Sequence, residues 1–207
     1  MVATDDNMLL LERADSGDPH ALGELLEQSR ERLLQIVSFR MDQRLRSRID
    51  PADVVQDAFM EATKRFGEQK RDDRIPFFLW MRLLTLQRLA ELHRKNLGVK
   101  ARDAGREVSI FSGPLPQATS AVIAAQLLGG LTSPSQAAIR VETRLAVEEK
   151  LNDMETLDRE ILVLRHFEQL SNQETAKVLD IKQSAASNRF IRALKKLKAE
   201  LQEEGLG

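Results

Sequence analysis

The sequence predicts an all-α protein of two small helical bundles joined by a long linker, with a helix-turn-helix in the C-terminal bundle. Aromatic residues make up 4% of the 207 residues, and long Leu-, Arg- and Glu-rich segments favour helices over sheets. Residues 108–139 carry no charge and are rich in Ser, Pro, Gly, Ala and Gln, which is typical of a linker. We therefore expect an N-terminal helical domain at residues 1–107, a flexible linker at 108–141 and a helix-turn-helix domain at 142–207.

The helices expected in the N-terminal domain begin at prolines. Asp18–Pro19 and Asp50–Pro51 each place a capping carboxylate before a first-turn proline, which is a strong start signal. Pro76 opens a third helix, which is apolar at its start and basic at its end. Three helices of this length can build a core of their own. The linker that follows contains at most a marginal helix, at Ala121–Leu128.

The C-terminal domain shows the pattern of two helices with a three-residue corner. Ser171 and Glu174 form a capping box at the start of the first helix. Asp180 opens the corner, and aspartate tolerates a left-handed backbone. We expect Thr156 to cap a supporting helix before this pair. The second helix of the pair has an apolar stripe that we expect to be buried, made of Ala186, Phe190, Ala193, Leu194 and Leu197.

The opposite face of that second helix is basic. From Lys182 to Lys198 there are six basic residues and no acidic one. Amide and hydroxyl groups come early and cations later, as suits a helix that reads base edges and holds phosphates in the major groove. The alternative is a solvated helix in an ordinary bundle, but a soluble face rarely lacks acids over such a length. The candidate DNA contacts are Gln183, Ser184, Ser187, Asn188, Arg189, Arg192, Lys195 and Lys196.

Several function classes are excluded by what the sequence lacks. Without cysteine there are no disulfides or thiolate metal sites, and no apolar run approaches the roughly 20 residues that span a bilayer. His20, His93 and His166 are scattered, and no glycine-rich phosphate loop or HExxH pattern occurs. We expect a cytoplasmic protein with no enzymatic activity, cofactor, metal, membrane contact or small-molecule substrate.

Three motifs resemble bacterial RNA polymerase sigma factors, specifically the small ECF (extracytoplasmic-function) group. Asp53–Phe59 is similar to the D-[LV]-V-Q-[ED]-x-F signature of the family's second conserved region. Pro76–Trp80 is similar to the opening of the promoter-melting helix. Leu157–Lys198 is similar to the fourth region, where L-x-R-E-[VI]-L-x-L-R precedes a helix-turn-helix. In this order the motifs cover most of residues 18–96 and 142–201.

The resemblance implies a sigma factor that directs RNA polymerase to specific promoters and assists melting of the −10 element. The implied partners are promoter DNA and core RNA polymerase, through its β′ clamp helices and β flap, and an inhibitory anti-sigma protein is left open. The residues alone leave two alternatives. One is a helix-turn-helix regulator whose N-terminal domain senses a ligand or mediates oligomerisation, and the other is a pure interaction module. A regulator binds duplex promoter DNA alone, whereas a sigma factor needs core polymerase.

The resemblance also implies roles for individual residues. The polymerase-binding residues would be Asp53, Gln56, Asp57, Phe59 and Met60. The −10 contacts would be Trp80, Gln87, Arg88, Glu91, His93, Arg94 and Lys95. In the −35 helix, Arg189 and Arg192 would make the strongest contacts. The residues themselves leave two of these roles open: Asp53 and Asp57 also suit a helix dipole, and Trp80 by pattern favours a core position.

Overall fold

The computed structural model describes residues 3–68, 75–97, 118, 120–128 and 137–203. All regular secondary structure in these ranges is helical, which confirms the predicted all-α class. The described helices form two compact units, each with buried apolar residues of its own.

The first unit begins its second and third helices at the predicted caps. Its helices are α1 (Ala3–Asp15), α2 (Pro19–Arg40), α3 (Pro51–Gly67) and α4 (Phe77–Leu97). The Asp18 carboxylate accepts the backbone N–H groups of His20 and Ala21 at 2.9 and 3.3 Å. The Asp50 carboxylate accepts the N–H of Ala52 at 2.8 Å. Both start signals are therefore confirmed.

The core of the first unit forms where α3 packs against α2 and α4. Val54 and Val55 of α3, Leu33 of α2 and Leu89 of α4 are all fully buried there. α1 also packs on α2, although its sequence pattern did not predict a helix. Its apolar residues are crowded into residues 8–11 rather than spaced along a helical stripe.

The second unit contains five α-helices and one π-helical turn among its described residues. They are α5 (Ser120–Leu128), α6 (Ala137–Asp153), α7 (Thr156–Leu162), the π-turn Val163–Phe167, α8 (Asn172–Leu179) and α9 (Gln183–Glu203). Leu151 of α6, Ile161 of α7, Leu164 of the π-turn and Ala193 of α9 are fully buried. α9 packs against α6, α7 and α8, so these helices hold it from its inner side.

Inside the predicted linker at 108–141, the structure describes a helix where the sequence predicted a marginal one, at Ala121–Leu128. α5 is formed, its residues Ile123 and Ala124 are fully buried, and it packs against α6, which itself begins at Ala137. Ile123 and Ala124 follow the buried Ser120 by three and four residues, so these three residues form one buried face of α5. Ala118 is also described and is buried, and the other residues of the predicted linker lie outside the described residues.

The helix-turn-helix has the local geometry that its sequence predicts. Ser171 accepts the N–H of Glu174 at 3.1 Å, and the Glu174 carboxylate accepts the N–H of Ser171 at 2.7 Å. Asp180 adopts the left-handed conformation, with φ 53° and ψ 47°. The amide of Asn172 donates to the carbonyl of Gln183 at 2.9 Å, which ties the first turn of α9 to α8.

Two expectations for this unit were wrong. Thr156 is not the cap of α7, because Glu155 occupies the N-cap position and forms no side-chain capping bond. Leu194 is not buried: its side chain is 49% exposed, while Ala186, Ala193 and Leu197 are buried as expected. The buried stripe of α9 is therefore narrower than the sequence pattern suggested.

Candidate nucleic-acid and protein interfaces

α9 turns the predicted DNA-contacting residues away from the core. Ala186, Ala193 and Leu197 face the unit's interior. Six of the eight candidate contacts are exposed, and Ser187 and Arg189 are partly exposed. The exposed six are Gln183, Ser184, Asn188, Arg192, Lys195 and Lys196. The structure therefore brings the predicted contacts together on one helix, while their binding to DNA stays a prediction.

Arg189 is held by two carboxylates that the sequence pattern did not single out. Its Nη1 donates to Asp158 Oδ1 at 2.6 Å and to Glu155 Oε2 at 3.1 Å. These hydrogen bonds, to Glu155 and to Asp158, raise the pKa of Arg189. The Asp158 side chain is 9% exposed, so Asp158 is the anchor that fixes α9 on α7.

Arg192 belongs to the same cluster but is differently placed. Its Nη2 lies 3.6 Å from Asp158 Oδ1, and its side chain is 64% exposed, against 26% for Arg189. The two arginines predicted to make the strongest contacts are thus unlike. The Arg192 guanidinium is exposed to solvent, whereas the Arg189 guanidinium donates hydrogen bonds to carboxylates of the same protein.

In the first unit, α3 exposes most of the predicted polymerase-binding residues. Asp53, Gln56 and Met60 are exposed, and Asp57 is partly exposed. Phe59 is an exception and a correction: it is 6% exposed, and the Arg30 guanidinium lies 5.0 Å from its ring centroid. As an aromatic residue one position off the exposed stripe, Phe59 belongs to the core rather than to a docking surface.

A groove of about 440 Å³ runs between α3 and α4, with an ion pair in its wall. Arg88 of α4 donates from Nε to Asp57 Oδ2 at 2.9 Å, and its Nη1 donates to Glu91 Oε2 at 3.1 Å. The hydrogen bonds to Glu91 and Asp57 raise the pKa of Arg88. A predicted polymerase contact and a predicted −10 contact are therefore bonded to each other.

Trp80 does not occupy a surface position. Its side chain is 4% exposed, and its ring lies 6.0 Å from that of Phe66 and 5.9 Å from that of Phe77. Edge-on and tilted packing of this kind is typical of a buried aromatic cluster. The prediction that Trp80 contacts the −10 element is corrected to a core role, which the residue pattern alone had favoured.

His93 is also turned inward. Its Nε2 accepts the backbone N–H of Asp42 at 3.3 Å, in the connection between α2 and α3, and burial lowers its pKa. The neighbouring Asp42 has a pKa lowered to about 2, chiefly by its hydrogen bonds from Arg44. His93 thus joins α4 to that connection instead of following a DNA strand. Gln87, Glu91, Arg94 and Lys95 remain exposed on α4.

Within the described residues, no group of three or more acidic or histidine side chains has the arrangement of a metal site. In the same part of the chain, no helix combines the length and the apolar character that crossing a membrane requires.

The fold and these faces define a helix-turn-helix DNA-binding protein with a second helical unit. Comparison with known proteins agrees with this class. A family model for sigma-70, region 4, matches residues 144–197. The ECF RNA polymerase sigma factor SigD of Mycobacterium tuberculosis is 29% identical over 192 residues, which cover 93% of this chain and 82% of that relative.

Two further proteins are similar along almost the whole chain. The RNA polymerase sigma-H factor of Pseudomonas aeruginosa is 25% identical over 206 residues, covering 98% of this chain and 97% of the relative. A solved structure of CnrH in complex with the cytosolic domain of CnrY has a TM-score of 0.53 at 25% identity, covering 96% of this chain and 98% of that one.

The family model and the similarity along almost the whole chain support an RNA polymerase sigma factor of the ECF group. It acts in transcription initiation, and its partners are core RNA polymerase and promoter DNA. Sigma factors are a non-enzymatic family of transcription factors. Because the similarity to sigma factors runs through the first unit as well as the second, it does not favour a regulator with a sensing domain.

Proposed function

We propose that the two units divide the work of promoter recognition. The first unit docks on core polymerase through the exposed face of α3 and holds the opened −10 element on α4. The second unit holds the −35 duplex on α9. The observation that carries this proposal is the outward face of α9, where six candidate contacts are exposed on a helix fixed from its inner side.

The docking role of α3 rests on the side chains it leaves exposed. Asp53 lies in the first turn, Gln56 follows on the same side, and Met60 is 58% exposed although it is large and apolar. A polar stripe with one apolar anchor suits a protein partner better than a nucleic acid. By resemblance, we assign the β′ clamp helices to this face and the β flap to the second unit.

The −10 role of α4 rests on its basic end. Arg94 and Lys95 are exposed in the last turn, and Gln87 is exposed further up the helix. These cations can hold the backbone of a single strand, and Gln87 can hydrogen-bond to a base edge. Arg88 can join them only by leaving Asp57.

The proposal is tested by transcription in vitro with core polymerase, the full chain and a promoter library. We expect start sites that share two conserved elements, one near −10 and one near −35. Libraries with either element randomised should each lose initiation. Binding of the chain alone to the same duplexes should be weak. Tight duplex binding without polymerase, or initiation that ignores the −35 element, would contradict the division of work.

Three further properties follow from the proposal. The chain acts by positioning, with no catalytic step and no cofactor of its own. Its place is the cytoplasm, where polymerase meets the chromosome. Since CnrH was solved with the cytosolic domain of CnrY, we also propose a protein inhibitor for this chain. A protein that displaces core polymerase from the chain would support that proposal, and one that binds without displacing polymerase would not.

A further inference from the structure

Two large apolar side chains stand exposed on the predicted DNA-reading helix. Ile191 is 48% exposed and Leu194 is 49% exposed. Ile191 follows Asn188 by three residues and Ser184 by seven, so the three share one stripe of α9. Leu194 follows Ile191 by three residues, which places it about one turn further from the N-terminal end of α9. A recognition helix contacts base edges through its N-terminal residues. Ile191 is thus the apolar residue placed among the candidate base contacts.

At residues 183–191, α9 has no exposed arginine or lysine that could read guanine. Between Gln183 and Ile191 the sequence contains one basic residue, Arg189. That guanidinium donates to Asp158 and Glu155 within the protein. Guanine is recognised most often by a bidentate arginine or lysine on its O6 and N7 atoms. At residues 183–191, the exposed side chains of α9 are therefore amides, a hydroxyl group and apolar groups, with no cation among them.

We propose that α9 reads A·T pairs in its duplex site, with Asn188 on an adenine edge and Ile191 against a thymine methyl group. This inference rests on the proposed −35 role of α9. An asparagine amide matches the N6 and N7 atoms of adenine, and an apolar side chain gains from contact with the C5 methyl group that thymine alone carries. Both residues are exposed and lie within one turn of each other, so neighbouring base pairs are in reach.

The charges around Ile191 favour duplex DNA over an apolar protein surface as its occupant. Arg192, Lys195 and Lys198 are exposed and flank it along the helix. No acidic residue occurs from Lys182 to Lys198. A cationic border of this kind attracts phosphate and is costly to cover with an uncharged partner.

The test removes one methyl group from the DNA. Core polymerase carrying the full chain first selects its −35 element from a library. Each thymine of that element is then replaced by 2′-deoxyuridine, and holoenzyme affinity is measured for wild type, Ile191→Ala and Leu194→Ala. We expect one thymine whose replacement weakens wild type about 3- to 4-fold, as one lost methyl contact implies. Leu194→Ala should show the same loss, while Ile191→Ala should bind both DNAs equally.

A second measurement addresses Asn188. We expect Asn188→Ala to lose its preference for adenine over the other bases at one position of the element, by roughly 5-fold or more. The inference is overturned if the selected element is built of G·C pairs opposite α9. It is also overturned if deoxyuridine weakens wild type and Ile191→Ala equally, or if Ile191→Ala lowers polymerase association and leaves DNA affinity unchanged. That last outcome would assign the apolar pair to a protein partner.

The −35 role of α9 and the reading of thymine by Ile191 can be tested separately. If the holoenzyme initiates at its selected promoters but ignores the thymine methyl groups, only the reading by Ile191 is wrong. If no −35 element can be selected at all, the proposed role of α9 itself is wrong. Circular dichroism of each variant checks for a folding defect, and we expect none because all three substituted side chains are exposed.

Discussion

Two arginines that the sequence assigns to DNA are each bonded to an aspartate of a neighbouring helix, and the two pairs differ in depth. Asp158, the partner of Arg189, is 9% exposed, whereas Asp57, the partner of Arg88, is 34% exposed. A charge pair that is largely buried is hard to break, because one partner is left desolvated. An exposed pair contributes little and is readily replaced by water or by a new partner. The first pair thus fixes a helix, while the second is available for exchange on binding.

The largest expected effect is on stability, at the buried pair of Asp158 and Arg189. We expect Asp158→Ala to lower the free energy of unfolding by about 2–3 kcal/mol, because it leaves the partly buried Arg189 with the exposed Glu155 alone. The matched control is Glu155→Ala, whose side chain is 72% exposed, and we expect it to cost about 0–1 kcal/mol. Urea unfolding of the full chain measures both. Equal losses for the two variants would show that Asp158 is not the anchor.

Arg192 and Arg189 lie on the same helix but differ in exposure, so their substitutions should have different effects on stability. Because the Arg192 side chain is 64% exposed, we expect Arg192→Ala to leave stability unchanged. Promoter affinity of the holoenzyme should fall roughly 5- to 10-fold, with a shallower dependence on salt. Arg189→Ala should instead lower stability together with affinity. Loss of polymerase association in Arg192→Ala would count against its assignment to DNA.

Asp57 tests whether the exposed pair matters for binding. We expect Asp57→Ala to weaken association with core polymerase several-fold, while the free energy of unfolding changes by about 0–1 kcal/mol. Glu61→Ala is the matched control, since Glu61 pairs with Arg65 on the same helix and lies outside the predicted docking residues. Association can be followed by fluorescence anisotropy with labelled chain. If core binding is unchanged in Asp57→Ala, the docking face lies elsewhere.

The smallest expected effect concerns His93, whose pKa is lowered from 6.5 by burial and by the charge of Arg44, against the opposing charge of Asp42. The unfolded chain then binds a proton before the folded chain does. Stability is therefore full above about pH 6.5 and falls as the pH drops below it. His93→Gln keeps an acceptor for the Asp42 N–H but does not titrate. We expect its unfolding midpoint to vary less than that of wild type between about pH 6.5 and 5. An identical pH profile would contradict this.

Local features were predictable because their causes lie within a few residues. The caps at Asp18, Asp50 and Ser171 and the left-handed Asp180 all follow from the side chain and its immediate neighbours. The sequence signals for helix starts and ends span a few residues and do not depend on the rest of the fold.

What the sequence could not show depends on distant partners. Asp158 lies 31 residues from Arg189, and His93 lies 51 residues from Asp42, so no spacing rule connects them. The exposure of Leu194 and the burial of Phe59 are likewise decided by which helices pack alongside. A motif can predict that a residue belongs to a binding surface. Whether its side chain is exposed there depends on how the neighbouring helices pack.

The π-turn at Val163–Phe167 accommodates one residue more than the same stretch of α-helix would. In a regular helix, one extra residue would advance every later residue by about 100°. The wider turn absorbs this surplus locally, and Val163 and Leu164 are buried within it. The surplus residue is therefore a local widening at the end of α7, ahead of the non-helical connection at 168–171, and it does not shift the helix-turn-helix that follows.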